Sequence, residues 1–125
     1  MKERSGIYFA AANTMVMNSL CDHGVVSYYY AVLQRMKYVL AEKSTRQLSY
    51  SNQNPTDRDV HDFLYNAIVE RMQNQKQKAQ FKEDFEILRK ARLRADYECQ
   101  HFTTIECTEY RAIAERMFSS LNKIS

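Results

Sequence analysis

The segment with the clearest chemical potential is Arg92-Leu93-Arg94-Ala95-Asp96-Tyr97. Arg92 and Asp96 are four positions apart, the spacing at which two helical side chains are neighbours, and both fall on or beside an apolar stripe. A buried arginine needs a carboxylate partner, because an unpaired charge is costly away from water. The sequence therefore predicts an Arg92–Asp96 ion pair, completed by a tyrosine hydroxyl or a backbone carbonyl. It is either a structural pair or part of a polar ligand pocket.

Tyrosine and histidine side chains add hydrogen-bonding groups elsewhere in the chain. Residues 28–30 are three consecutive tyrosines, which cover most of the circumference of a helix. At least one of them must therefore be buried and at least one must lie outside the core. His61 follows Val60 at the edge of an apolar stripe, where we expect a hydrogen-bonded residue at the boundary of the core.

Several kinds of chemistry are not indicated by the sequence. There is no Gly-x-Ser-x-Gly segment for a nucleophilic serine and no glycine-rich loop to bind phosphate. The cysteines and histidines lack the spacing of a metal site, so we expect neither a metal nor a cofactor. The acidic residues are expected on solvated faces. Residues 76–94 contain seven basic and three acidic side chains, a net charge of +4, which fits a solvated face or contact with phosphate groups.

Composition predicts the framework that must position these groups. The chain has 125 residues, of which 45% are hydrophobic, with only two glycines and one proline. A single all-α domain over residues 1–125 follows, because there are too few chain breakers for a turn-rich β fold and too many apolar residues for disorder. No stretch is long and apolar enough to span a membrane. An odd number of cysteines, three, indicates thiols in a reducing compartment, and hence the cytoplasm.

Apolar periodicity predicts an up-and-down bundle of four to five helices. The second helix has apolar residues on two sides and should be central. Proceeding along the chain, we expect a helix from a Ser5 cap to about Asp22, with a break at His23-Gly24; a helix from Val25 to about Glu42; a loop to Pro55; a helix capped by Thr56 or Asp57; a polar connection over residues 73–78 and a helix to Cys99; and a helix capped by Thr103 or Thr104.

Three short segments, in this order, resemble the HEPN superfamily of prokaryotic helical-bundle proteins. They are Tyr29-Tyr30-Ala31 followed by Leu40, His61-Asp62-Phe63-Leu64 after the polar loop, and Arg92-x-x-Ala95-Asp96-Tyr97. The resemblance implies a helical bundle that forms a homodimer. It also implies a nucleotidyltransferase-fold partner protein in a toxin–antitoxin or defence system. The arginine that often precedes the paired tyrosines in that family is absent here, where Val26 and Ser27 stand.

Some members of the superfamily cleave RNA with an Arg-x(4–6)-His motif. Arg94 and His101 have six residues between them and are similar to that motif, although Ala95 replaces its usual internal polar residue. The resemblance would make His101 a metal-independent acid or base and Arg94 a phosphate ligand.

Three functions follow from these observations. The leading hypothesis is a non-catalytic dimer that binds a nucleotide or a nucleotidyltransferase-type protein through a groove. The groove would be formed by Tyr29, Tyr30, His61, Arg92, Asp96 and Tyr97. The second hypothesis is a ribonuclease toxin that uses Arg94 and His101 on RNA. The third is a purely structural interaction bundle.

Overall fold

The computed structural model describes residues 2–17, 21–56, 59–97 and 102–124. These residues form an all-α bundle without β-strands, as predicted from the composition. The α-helices are α1 (Lys2–Met17), α2 (Cys21–Tyr38), α3 (Val60–Glu70), α4 (Gln75–Tyr97) and α5 (Thr104–Asn122). A π-helix (Val39–Lys43) continues α2, and a short 3₁₀-helix (Tyr50–Gln53) lies in the loop before α3.

Helix α2 is central, as its two apolar flanks predicted, and it contacts all four other α-helices. Tyr28, Tyr29, Val32 and Met36 are fully buried along it. Tyr30 is only half-buried, so the three consecutive tyrosines divide between the core and its boundary. Burying aromatic and aliphatic side chains of this size is the main force that holds a bundle together.

Aromatic contacts join neighbouring helices of the bundle. The ring of Phe9 in α1 is 5.4 Å from that of Tyr28 in α2. Tyr65 in α3 stacks on Phe81 and Phe85 of α4, with ring centroids 6.1 Å and 5.0 Å apart. A smaller apolar cluster closes one end of the bundle, where α2, α4 and α5 meet; it consists of Val25, Ala91, Phe102 and Cys107.

The boundary between the first two helices was predicted wrongly. Ser5 lies inside α1, where it is buried, and it does not cap the helix. His23 and Gly24 belong to α2, which begins at Cys21. A glycine inside a helix costs only about 1 kcal/mol relative to alanine. Burial of Val25 in the core outweighs that cost.

Three helix starts can be compared with the predicted caps. Helix α3 is capped by Asp59, whose carboxylate accepts hydrogen bonds from two backbone amides, and not by Thr56 or Asp57. Helix α4 begins at Gln75, inside the predicted connection, because the side chain of Asn74 accepts from the amides of residues 76 and 77. Helix α5 begins as predicted, since Thr103 and Glu106 form a reciprocal capping box.

The second helix ends within one residue of its predicted end, but its last turn is a π-helix. The wider turn is closed by the amide of Ser44, which donates to the carbonyl of Val39. Buried Gln53 then donates from Nε2 to the carbonyls of Lys37 and Leu48, at 3.0 Å and 2.9 Å. The polar loop is therefore tied to the end of α2 by these bonds. Among the described residues, no helix is long and apolar enough to cross a membrane.

Asp84 corrects the expectation that the acidic residues all lie on solvated faces. Its side chain is 1% exposed, and its bidentate contact with Arg116 joins α4 to α5. Nε and Nη2 of Arg116 donate to its two oxygens at 2.9 Å and 2.6 Å. Gln80 donates to the same carboxylate at 3.0 Å. This bidentate geometry is the strongest form of an arginine–carboxylate contact.

We expect Asp84→Ala to lower the free energy of unfolding by about 1–3 kcal/mol, because it removes a buried acceptor of three hydrogen bonds while half-exposed Arg116 stays solvated. Urea denaturation of the purified protein measures this change. Glu115→Ala is the matched control, since it breaks an exposed pair with Arg111 and should change stability by less than about 0.5 kcal/mol. Equal losses in the two variants would contradict the structural importance of Asp84.

Candidate functional site

A buried tyrosine and a half-buried histidine meet between α2 and α3. The hydroxyl oxygen of Tyr29 is 2.7 Å from Nδ1 of His61, and their ring centroids are 5.4 Å apart. The two residues are 32 positions apart in the chain, and the packing of α3 on α2 brings them together. The prediction that His61 is a hydrogen-bonded boundary residue is therefore confirmed.

Burial determines the protonation state of this pair. It raises the pKa of Tyr29 to about 12, against the lowering effect of nearby Arg89 and Arg92, so the phenol stays neutral. Burial also lowers the pKa of His61 from its ordinary value of 6.5, although the charge of Asp59 acts to raise it. Near neutral pH the hydrogen bond therefore joins two neutral groups. When Tyr29 donates to Nδ1, Nε2 of His61 carries the proton.

Arg92 lies beside the same tyrosines. Its Nη2 donates to the hydroxyl of Tyr30 at 3.1 Å, and its guanidinium carbon is 5.7 Å from the ring centroids of both Tyr29 and Tyr30. A tyrosine hydroxyl among its hydrogen-bond partners agrees with the prediction. The side chains of Asp96 and Tyr97 lie outside the described part of the chain, so the predicted Arg92–Asp96 pair stays a prediction.

Arg89 also belongs to this site, and sequence reasoning did not single it out. It contacts Asp62 at 2.5 Å and Asp59 at 3.5 Å, and thereby joins α4 to the start of α3. Burial acts to lower the pKa of Arg89, but the hydrogen bond to Asp62 outweighs this effect and the pKa is raised. The i,i+3 spacing of Arg89 and Arg92 was the available signal, because it places both on one side of a helix.

We call Tyr29, Tyr30, His61, Arg89 and Arg92 the tyrosine–arginine cluster. His61 is oriented in it by Tyr29 through Nδ1, and among the described residues no group bonds to Nε2. That nitrogen and the half-buried side chains of Arg92 and Tyr30 complete the cluster. The arrangement can offer hydrogen bonds and positive charge to a ligand, next to an aromatic surface.

Arg94 points into a different contact, at the start of α5. Its Nη1 is 2.6 Å from a carboxylate oxygen of Glu106, the residue that completes the capping box. Its guanidinium carbon lies 4.2 Å from the ring centroid of Phe102. Backbone and arginine contacts lower the pKa of Glu106. His101, the other residue of the predicted ribonuclease motif, is outside the described residues.

Metal binding finds no structural basis in the described ranges. No group of three or more histidine, cysteine, aspartate or glutamate side chains within them is placed to hold a metal ion. Cys107 is a buried thiol in the smaller apolar cluster, where it packs as an apolar residue.

Comparison with protein families, with curated proteins and with solved structures finds no match to this chain. The relationship to the HEPN superfamily stays a prediction from the three motifs.

The pKa of His61 should respond in opposite directions to two substitutions around it. Arg89→Gln should raise this pKa, because it removes a positive charge that disfavours the imidazolium and leaves Asp59 less neutralised. Asp59→Asn should lower it, because it removes the negative charge while an asparagine can still cap α3. NMR titration of the histidine ring protons measures both shifts, with His61→Gln used for assignment.

The neutral state of His61 in the folded protein also determines how the stability of the fold depends on pH. Its lowered pKa means that the unfolded chain binds a proton first, so His61 destabilises the fold as the pH falls below 6.5. His61→Gln should weaken the loss of stability in that range.

For the two substitutions around His61, shifts of its pKa with the same sign in Arg89→Gln and Asp59→Asn would contradict the assigned electrostatics.

Proposed function

We propose that this chain is a non-catalytic helical bundle that binds a nucleotide through the tyrosine–arginine cluster. The observation that carries the proposal is the convergence of three groups from distant parts of the chain. His61 comes from the start of α3, Arg92 from the end of α4 and Tyr29 from the centre of α2. They are the residues on which the resemblance to the HEPN superfamily depends.

The donors of the cluster suit a phosphate group. Arg89 pairs with Asp59 and Asp62. In the proposal, the groups that contact an anion are the guanidinium of Arg92, which also donates to Tyr30, and Nε2 of His61. Arg92 lies near enough to His61 for its charge to lower the pKa of the imidazole. An arginine and an oriented imidazole N–H are common partners of phosphate oxygens.

An aromatic surface beside these donors favours a nucleotide over inorganic phosphate. The ring of Tyr8 in α1 is 6.2 Å from that of Tyr30 and is 36% exposed. Ile7, its neighbour, is 66% exposed. A base stacked on an accessible aromatic ring gains about 1–3 kcal/mol, so the cluster and this surface together match the two parts of a nucleotide.

The surroundings of Tyr29 and Arg94 favour a binding function over catalysis. Tyr29 stays a neutral phenol because its pKa is raised to about 12, and it serves to orient His61. The alternative function, a metal-independent ribonuclease, assigns catalysis to Arg94 and His101. The contacts of Arg94 with Glu106 and Phe102 give this residue a structural role at the start of α5.

The biological setting follows from the resemblance and not from the geometry. Within the proposal the chain acts as a homodimer, with a nucleotidyltransferase-fold protein as its partner in a toxin–antitoxin or defence system. A partner that transfers nucleotides would give a nucleotide site on this chain a direct use.

Calorimetric titration with ADP, ATP, GTP and inorganic phosphate tests the proposal. We expect at least one nucleotide to bind more tightly than phosphate. Arg92→Gln and His61→Gln should each weaken that binding by about tenfold or more, since each removes a hydrogen bond to a charged group. Arg111→Gln is the charge-matched control, because Arg111 is exposed on α5 and pairs with Glu115.

Thermal melts of the same variants separate lost binding from lost folding, and His61→Gln is the less disruptive change because His61 is half-exposed. Full nucleotide affinity in both cluster variants, or no binding of any of the four compounds, would refute the proposal. Cleavage of RNA by the purified protein, abolished in His101→Ala, would support the ribonuclease alternative instead.

A further inference from the structure

Arginines in the described part of the chain are mostly paired with acidic groups or backbone carbonyls. Four of them pair with carboxylates, namely Arg89, Arg94, Arg111 and Arg116, and two donate to backbone carbonyls, namely Arg46 and Arg71. Arg35 is different, because its Nε and Nη2 both donate to the neutral amide oxygen of Asn122. Lys43 also has no carboxylate within ion-pair distance among the described residues. Arg35 and Lys43, like several exposed lysines, thus lack a carboxylate partner within these ranges.

Both charges are held near one aromatic ring. The guanidinium carbon of Arg35 is 5.3 Å from the ring centroid of Tyr38, and Nζ of Lys43 is 5.9 Å from the same centroid. Arg35 is also 5.9 Å from the ring centroid of Phe118 in α5. With Asn122 on one edge and two rings beside it, the guanidinium is fixed before any ligand arrives. Such preorganisation lowers the entropic cost of binding.

Arg35 and Lys43 line a cavity of about 290 Å³ at the end of α2. Its lining is mainly polar and includes Arg35, Lys43 and Tyr38, whereas Val39 and Leu121 are almost completely buried behind it and Ile124 is 8% exposed. In the described part of the chain, Nη1 of Arg35 has no hydrogen-bond partner. The cavity therefore combines a fixed donor and a second positive charge with the half-buried ring of Tyr38.

We propose that this cavity binds a small organic carboxylate. The carboxylate would lie between Nη1 of Arg35 and Nζ of Lys43, and its hydrocarbon part would contact the half-buried ring of Tyr38. A carboxylate matches an arginine edge in geometry, and an apolar substituent gains from contact with this ring, which inorganic phosphate cannot use. The volume suits one ring, since an apolar cavity of about 150 Å³ holds benzene in another protein.

This site is independent of the proposed nucleotide site. It lies at the C-terminal end of α2 and shares no residue with the tyrosine–arginine cluster. Failure of one proposal therefore leaves the other unchanged.

Benzoate is the probe, titrated into the intact chain and followed by ¹H–¹⁵N NMR. We expect saturable shifts at the amides of Lys43, Leu121 and Asn122. Benzyl alcohol, which has the ring without the charge, and inorganic phosphate, which has charge without the ring, should each bind at least about tenfold more weakly. Equal binding of either compound, or no saturable shift at about 10 mM benzoate, would overturn the proposal.

Two substitutions locate the binding. Lys43→Gln should weaken benzoate binding by about fivefold to tenfold without affecting the fold, because Lys43 is exposed. Arg35→Gln should weaken it by about tenfold or more, with a thermal melt to confirm folding. Lys90→Gln, an exposed lysine on α4, and Arg92→Gln are the controls and should keep full affinity. Unchanged affinity in Lys43→Gln would also contradict the assignment.

Discussion

The hydroxyl group of Tyr29 must find a hydrogen bond at the edge of a core in which its ring is completely buried. Leaving such a group unsatisfied costs about 1–3 kcal/mol, a large part of the stability of a small domain. His61 supplies the acceptor at 2.7 Å, and this contact fixes where α3 lies along α2. Tyr28, the neighbouring buried tyrosine, donates to Asn13 of α1 at 2.6 Å. The central helix therefore uses one tyrosine hydroxyl to position the helix on each side.

Charge compensation organises the outer side of the bundle in a similar way. Asp84 and Arg116 join α4 to α5, and Arg89 joins α4 to the start of α3. Arg71 joins the end of α3 to the loop that precedes this helix, because it donates to the backbone carbonyls of Ala67 and Arg46. Each of these contacts connects elements that apolar packing has already brought together. They add directional bonds, whereas burial of the apolar stripes supplies most of the stability.

The sequence predicted the all-α class, the central position of α2 and the cap of α5, because each depends on a local pattern with a direct physical cause. It missed Asp84, since helical periodicity cannot tell that an acid near the apolar face will meet an arginine 32 positions later. It placed the first break at His23-Gly24, where the tertiary burial of Val25 overrides the preference of glycine to end helices. A short segment does not reveal which residues pair over a long distance in the chain, or whether tertiary burial will outweigh the local helix propensity.

The candidate site was also predicted only in part from the sequence. Tyr29, Tyr30, His61 and Arg92 were predicted to line one groove with Asp96 and Tyr97, and the fold brings the first four together. A requirement of folding explains the Tyr29–His61 contact fully, because the buried hydroxyl needs an acceptor. The contacts of Arg92 are of a different kind, because its guanidinium donates to the hydroxyl of Tyr30 and lies 5.7 Å from the ring centroids of both tyrosines. They place a positive charge at the boundary of the core, and within the proposed function a phosphate group would contact that charge.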